Sequence, residues 1–237
     1  MLLRELAAVG PFFALRVGDA PDDVPDAAED YLPIGAEAMR LRVATVAARL
    51  GTTDRRVAAS IAFQGIAGRL LSIGLGSAVL LGEVPDLTAG GGLRWHPART
   101  APDDLWLPAA ATAPPATPAA QLADGVLHGL LVPLHRATRA VTPVSARLLW
   151  GNAGSSLAGS LRVLYSWCHE RGRPQDADRA LALARALFED PLLRDTGTLA
   201  AGPGGVSFER GTCCLYYRVP GGGLCGDCVL RHPPRSR

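Results

Sequence analysis

Four of the five cysteines in this 237-residue chain lie within sixteen residues of one another, and this cluster constrains the fold more than any other feature. They are Cys213, Cys214, Cys225 and Cys228, in the spacing Cys-Cys-x10-Cys-x2-Cys. Four thiolates that include a Cys-x2-Cys pair are a complete ligand set for tetrahedral zinc or for an iron-sulfur cluster. Disulfide frameworks are instead spread through small secreted domains. We therefore expect one metal or iron-sulfur site here, with a free-thiol cluster or a disulfide pair as the alternative.

The adjacent pair Cys213-Cys214 requires a bend in the backbone, because consecutive residues of a strand point to opposite faces and cannot both reach one metal. Glycines at 221–223 and at 226 permit tight turns that bring main-chain N–H groups close to anionic sulfurs. Each knuckle of a zinc ribbon is normally a Cys-x2-Cys pair, so the adjacent pair argues mildly against structural zinc. Both metals remain open at this point.

The hydrophobic pattern of the rest of the chain predicts an α+β protein that is mainly helical with a few short strands. At 48% hydrophobic residues, the chain can bury a sizeable core. Apolar residues at helical spacing predict helices over 35–83 (a pair broken near 51–54), 121–139, 143–168 and 174–188. Short strands are predicted at 12–17, 93–96, 105–107 and 204–210.

Composition divides the chain into four regions. Residues 109–120 are almost wholly alanine, threonine and proline, too poor in large apolar groups to pack, and predict an extended linker or exposed loop. This segment separates an N-terminal helical and short-strand region, 1–108, from a helical region, 121–204. The cysteine-rich segment, 205–237, follows as the predicted metal- or iron-sulfur-binding region.

Charge and motifs exclude several classes of function. With 24 basic and 22 acidic residues, the chain gives no electrostatic case for nucleic-acid binding. No Gly-x-Gly-x-x-Gly fingerprint follows a predicted strand, so electrons for a redox reaction would come from outside. Glu5 interrupts the apolar run that a secretory peptide needs, which predicts a cytoplasmic protein. The longest apolar stretch, 70–82, falls short of the roughly 20 residues of a membrane-spanning helix. It predicts a buried helix.

The segment from Arg210 onward, Arg-x-x-Cys-Cys-x-x-Tyr-x-x-Pro followed by Cys-x-x-Cys, resembles the C-terminal signature of FhuF-type siderophore-iron reductases, which bind a [2Fe-2S] cluster. A second patch, 149–159 (LWGNAGSSLAG), is similar to the Trp-Gly-Asn segment that those proteins carry upstream of the cysteines. A weaker likeness lies in 56–87, where serine, glutamine and arginine punctuate an apolar helix pair.

This resemblance implies that Cys213, Cys214, Cys225 and Cys228 ligate a [2Fe-2S] cluster, with no catalytic residue beyond it. The implied enzyme is a cytoplasmic ferric-siderophore reductase that passes one electron to siderophore-bound iron(III) and releases iron(II). Its partners would be the ferric siderophore and an external electron donor, either ferredoxin-like or a flavin reductase. Two alternatives remain: a zinc-stapled siderophore-binding protein without redox activity, and an iron-sulfur electron carrier or sensor with another acceptor.

Two further groups of residues are candidates for the substrate site. The segment Trp150-Gly151-Asn152 either lies beside the cluster or in the substrate cleft, or packs within a helix. Three aromatic residues on the predicted strands either form a wall for a siderophore or belong to the core: Trp95, His96 and Trp106.

Three arginines near the cysteines and the fifth cysteine, Cys168, are also considered as site residues. Arg210, Arg218 and Arg231 either attract an anionic ferric complex or are ordinary solvated side chains. Cys168 lies at the end of a predicted helix, and we expect it to be a small, buried hydrophobic side chain and not a ligand.

Overall fold

The structure, a computed structural model, describes residues 2–18, 30–88, 91–109, 111, 113–202, 204–230 and 232. Its α-helices are α1 (Leu2–Val9), α2 (Ala36–Leu50), α3 (Arg55–Leu80), α4 (Pro118–Gln121), α5 (Val132–Val141), α6 (Ala146–Glu170) and α7 (Pro174–Phe188). A π-helical segment, Leu122–Leu131, joins α4 to α5. The strands are β1 (Arg16–Val17), β2 (Leu32–Pro33), β3 (Arg94–Trp95), β4 (Leu105–Leu107), β5 (Gly197–Gly202) and β6 (Gly205–Arg210). With 54% helix and short strands, the predicted α+β class is confirmed.

Helices α3 and α6 form the centre of the protein and run in the same direction. Asn152 contacts Ser60, Ser156 contacts Gln64, and Ser160 contacts Gly68. The partners are separated by 92 residues in all three cases, so the helices stay in register over more than two turns. Small residues on both faces permit this close approach.

Helix α3 is a core helix. Among the described residues it is the one helix whose length and composition suit a membrane crossing, but 83% of its most apolar window is buried within the protein. Gly76 shows how tightly it is packed, because a Cβ there would lie 2.8 Å from a ring carbon of Phe13. Residues 70–79 of the apolar stretch are therefore buried against the protein's own side chains, as predicted for a buried helix.

A four-stranded sheet in the order β1-β4-β3-β2 packs beside α3. The pair β1–β4 is parallel, and the other two pairs are antiparallel. Arg69 of α3 joins the sheet to the helix, because its Nε donates to Asp104 Oδ1 at 2.8 Å, just before β4. Its Nη atoms donate to the main-chain carbonyls of Pro11 and Ala14 at 2.9 and 2.8 Å.

The structure differs from the sequence predictions in four places. The predicted strand 12–17 is reduced to β1, Arg16–Val17, because residues 11–13 form a turn. The predicted extended segment 109–120 ends in helix, because Pro118 begins α4 and Thr117 caps it. The predicted helix 121–139 is π-helical over its first ten residues and extends to Val141. Strands β2 and β5 were not predicted, since Gly197–Gly202 is dominated by glycine and alanine. The division into four regions stays a prediction.

The Arg69–Asp104 pair generates a stability prediction, because both side chains are almost fully buried, at 1% and 5% exposed. Asp104→Ala leaves a buried, unpaired guanidinium and should lower the free energy of unfolding by about 3–5 kcal/mol. The neighbouring Asp103 is a matched control, because its ion pair with Arg16 is about 40% exposed and Asp103→Ala should cost at most about 1 kcal/mol. Urea unfolding of the two variants measures the difference. Equal losses would contradict this assignment.

Candidate metal centre

The backbone bends at the cysteine pair, as the sequence requires. Strand β6 ends at Arg210, before Cys213. Leu215 then adopts a left-handed conformation with φ of 68°, which is unusual for a residue with a side chain, and a short 3₁₀ turn follows over Tyr216–Arg218. The two thiols are therefore presented from an irregular loop and not from alternate faces of a strand.

Main-chain N–H groups point at three of the four sulfurs. The Leu215 N–H donates to Cys213 Sγ at 3.3 Å, and the Leu230 N–H donates to Cys228 Sγ at 3.4 Å. The Tyr216 N–H donates to Cys214. In each case the donor lies two residues after the cysteine. Such bonds stabilise negative charge on sulfur and set the reduction potential of a cluster bound there.

The thiols also interact with one another. A hydrogen bond from Cys225 lowers the pKa of the Cys214 thiol to about 6, helped by the Tyr216 N–H and the charge of Arg210. The same bond, together with burial, raises the pKa of Cys225. Burial raises the pKa of Cys213, and the neighbouring Cys214 and Cys228 raise it further. The four thiols thus form one electrostatic group.

The cysteines do not converge on a single point. None of them is in a disulfide. Within the part of the chain that the structure describes, no three His, Cys, Asp or Glu side chains are close enough to hold one metal ion. A [2Fe-2S] cluster takes its four cysteines on two irons, so it does not require them to meet at one atom. Four free thiols in one group, three with N–H donors, have the donor chemistry that this cluster needs.

A buried chain of hydrogen bonds holds the Cys213-Cys214 loop against the central helices. The Arg210 guanidinium is 1% exposed and donates to Asn152 Oδ1 and, at 3.0 Å, to the Thr212 carbonyl. Asn152 Nδ2 donates to the Ser60 carbonyl at 2.8 Å. The Ser60 hydroxyl donates to the Cys214 carbonyl at 2.6 Å. The position of the loop is therefore determined by one residue each of β6, α6 and α3.

The Cys-x2-Cys half is held through Asp227. Its carboxylate accepts hydrogen bonds from Ser155 Oγ at 2.7 Å and from Arg162 Nη2 at 2.8 Å, both on α6. Its carbonyl accepts the Arg210 N–H at 3.1 Å, which joins the two halves of the cysteine segment. The roles of Asp227, Ser155 and Ser60 are not predicted by the sequence pattern. The position of an aspartate between two cysteines was the one available signal.

The Trp-Gly-Asn segment does lie beside the cysteine loop. Asn152 is fully buried in the chain described above, and a Cβ on Gly151 would overlap with the Thr212 hydroxyl. Trp150 points elsewhere and stacks on His135, with ring centroids 4.8 Å apart.

Other candidates lie away from the cysteines or are unavailable to a ligand. Trp95 is 1% exposed in the core. His96 packs edge-on against Tyr31, and Trp106 Nε1 donates to the Gly18 carbonyl at 2.8 Å. No aromatic wall for a siderophore forms there, because these residues are bonded within the sheet region. Cys168 is fully buried, as predicted.

The arginine hypothesis is wrong for Arg210, which is buried and cannot meet an anionic complex in solution. Arg218 pairs with Asp54, the N-cap residue of α3, at 2.8 Å. Arg231 lies outside the described residues.

A cleft of about 660 Å³ opens beside the cysteines. Cys214 and Cys225 line part of it, and α3, α6 and the turn after α1 supply the remaining walls.

The cysteine segment matches a known protein family. Residues 210–230 match the model of the FhuF 2Fe-2S C-terminal domain. These residues are similar to a FhuF-type 2Fe-2S domain.

The match confirms the resemblance seen in the sequence for the FhuF-type segment, and the cofactor that it indicates is a [2Fe-2S] cluster. It covers the segment from the end of β6 to the second cysteine pair. No curated protein matches the chain.

The contact between Gly151 and Thr212 generates a prediction about iron loading. Gly151→Ala should displace Thr212, and with it Cys213, at a cost of about 1–3 kcal/mol in stability and with loss of bound iron. Gly125→Ala is the control, because a Cβ there meets nothing within 4 Å. The double variant Gly151→Ala/Thr212→Ala removes the overlapping hydroxyl and should recover iron. Iron per chain and thermal unfolding measure both effects, and normal iron in Gly151→Ala would refute the positioning role.

Proposed function

We propose that this chain reduces ferric siderophores, with Cys213, Cys214, Cys225 and Cys228 as the ligands of its [2Fe-2S] cluster. The observation that carries the proposal is the group of four free thiols, three with main-chain N–H donors, within the FhuF-type segment and at the end of an open cleft. When bound, the cluster supplies one-electron transfer.

One electron is sufficient to release the metal. A siderophore holds iron(III) through hard, charged oxygen donors, and iron(II), with its lower charge, is held less tightly by them. The reaction takes up one electron per iron and breaks only metal–ligand bonds. In this proposal the electron comes from an external donor, either ferredoxin-like or a flavin reductase, and the reaction takes place in the cytoplasm, where thiols stay reduced.

The chain's own residues set the conditions for this transfer. The N–H donors and the buried Arg210 guanidinium stabilise negative charge on the sulfurs. Cys214 is 2% exposed and therefore largely shielded from water, whereas Cys225 is partly exposed at the cleft. An acceptor in the cleft would thus approach the sulfurs without the rest of the loop becoming solvated.

Replacing the cysteines one at a time tests the ligand set. Serine at 213, 214, 225 or 228 should abolish or strongly reduce the visible absorption of anaerobically purified protein, together with its iron and sulfide. Cys168→Ala should keep the cluster, because Cys168 is buried away from the four thiols. The spectrum before and after dithionite, with iron and sulfide assays, is the measurement. A colourless wild-type protein with stoichiometric zinc would contradict the proposed reductase activity.

Arg210 provides a second prediction, because its buried positive charge has no carboxylate partner among the described residues. Asn152→Asp keeps the shape of the side chain but places a carboxylate against the guanidinium. The neutralised charge should shift the reduction potential to a more negative value. Asn152→Ser, which adds no charge, is the control. Equilibration with redox dyes measures the potential, and equal values in the two variants would contradict an electrostatic role.

Turnover separates the proposal from its closest rival. Anaerobically reduced protein is mixed with ferric siderophores, and iron(II) is trapped with a coloured chelator. Reoxidation of the cluster with stoichiometric iron(II) is the expected result. A protein that carries the cluster but is not reoxidised by any ferric siderophore would be an electron carrier or sensor for another acceptor.

A further inference from the structure

The cleft beside Cys214 and Cys225 has apolar walls. The described residues that line it come from the turn after α1, from α3, from α6 and from the cysteine segment. Phe12 and Val163, at 45% and 48% exposed, are two of the most exposed large apolar side chains in the described part of the protein, and both line the cleft. Large apolar groups left open to water beside a cavity are typical of a ligand site.

Most polar groups in the cleft are already bonded within the protein. Ser72 and Ser160 share a hydrogen bond of 2.8 Å. Ser155 donates to Asp227, and Ser156 donates to the Gln64 carbonyl. These hydroxyls therefore offer a ligand little beyond their van der Waals surface.

Gln64 is the exception. It lines the cleft, and its side-chain Oε1 is buried without a hydrogen-bond partner. A buried carbonyl oxygen without a donor costs about 1–3 kcal/mol, so a ligand that turns the Gln64 side chain toward the cleft and donates an N–H or O–H group to Oε1 is favoured. The wall of the cleft thus contains one buried, unsatisfied acceptor.

The charges around the cleft disfavour an anionic ligand. No arginine is among the described residues that line it, and the chain contains no lysine. The one carboxylate among these lining residues, Asp227, pairs with Arg162 at 2.8 Å. A multiply anionic chelate would find no compensating cation among the described lining residues.

We propose that this cleft binds an uncharged, apolar arm of the ferric chelate, with an N–H or O–H group of that arm donating to Gln64 Oε1. The inference rests on the proposed function, because it places the iron complex next to Cys214 and Cys225. It adds the substrate class: chelates with apolar arms and little net charge are preferred over hydrophilic, multiply anionic ones.

Glycines make the cleft testable without disturbing the core. A Cβ at Gly65 of α3 or at Gly159 of α6 would meet nothing within 4 Å, and neither glycine has a positive φ. Leucine at either position should fold and should occupy the cleft. Gly125→Leu is the matched control, because its Cβ also meets nothing within 4 Å and Gly125 does not line the cleft.

Gallium(III) complexes measure binding independently of electron transfer, because gallium has the charge of iron(III) and is not reduced. Calorimetry on the cluster-loaded protein compares the complex of a chelator with uncharged aryl arms with gallium citrate. The aryl complex should bind at least about tenfold more tightly. Gly65→Leu and Gly159→Leu should each lower the affinity for the aryl complex about tenfold. Gln64→Leu should lower it several-fold, and the control Gly125→Leu should leave it unchanged.

The outcomes separate this inference from the proposed function. If the protein binds the gallium complex tightly in the cleft but reduces no ferric chelate, the cleft is confirmed as the binding site and the proposed reductase activity is wrong. If aryl and citrate complexes of iron(III) are reduced at equal rates and Gly159→Leu changes neither rate, the reductase activity is supported and the assignment of the cleft as the substrate site is wrong. If Gly159→Leu blocks only oxidation of the external electron donor, the cleft belongs to that donor, and the substrate assignment is wrong.

Discussion

The cysteine segment depends on one buried cation. Arg210, 1% exposed, lies at the end of β6 and joins Asn152 of α6 to the Thr212 carbonyl that precedes the cysteine pair. A buried guanidinium is costly unless its donors are used, and Nη1 of Arg210 has no partner among the described residues. Negative charge at the neighbouring thiols offsets that cost. The residue that holds the loop in place is thus itself stabilised when the sulfurs are thiolates, as they are in a metal-bound state.

The parallel register of α3 and α6 is what makes this arrangement possible. The offset of 92 residues places Ser60 opposite Asn152 at one end and Gly68 opposite Ser160 two turns later. The polar end holds the cysteine loop, and the small residues farther along leave room for the cleft. Binding of the loop and formation of the cleft are therefore consequences of a single helix pair. A rotation of α6 by one residue would move Asn152 away from Arg210.

The sequence was informative where chemistry is local and uninformative where it depends on packing. The cysteine spacing and the Trp-Gly-Asn patch were recognisable, because both are contiguous in the chain. The roles of Ser60 and Asp227 were not, since the side chain of each contacts residues 65 or more positions away. Arg210 has the same charge as any surface arginine, and only burial separates it from them. Strand β5 lacks the alternating apolar pattern and is defined by pairing with β6.

The two halves of the cysteine set differ in their surroundings, and this difference gives the proposed transfer a direction. Cys214 and Cys225 line the cleft and share a hydrogen bond. Cys213 and Cys228 are not among the described lining residues. Under the proposed ligation, an acceptor in the cleft therefore meets the sulfurs of Cys214 and Cys225 before those of Cys213 and Cys228.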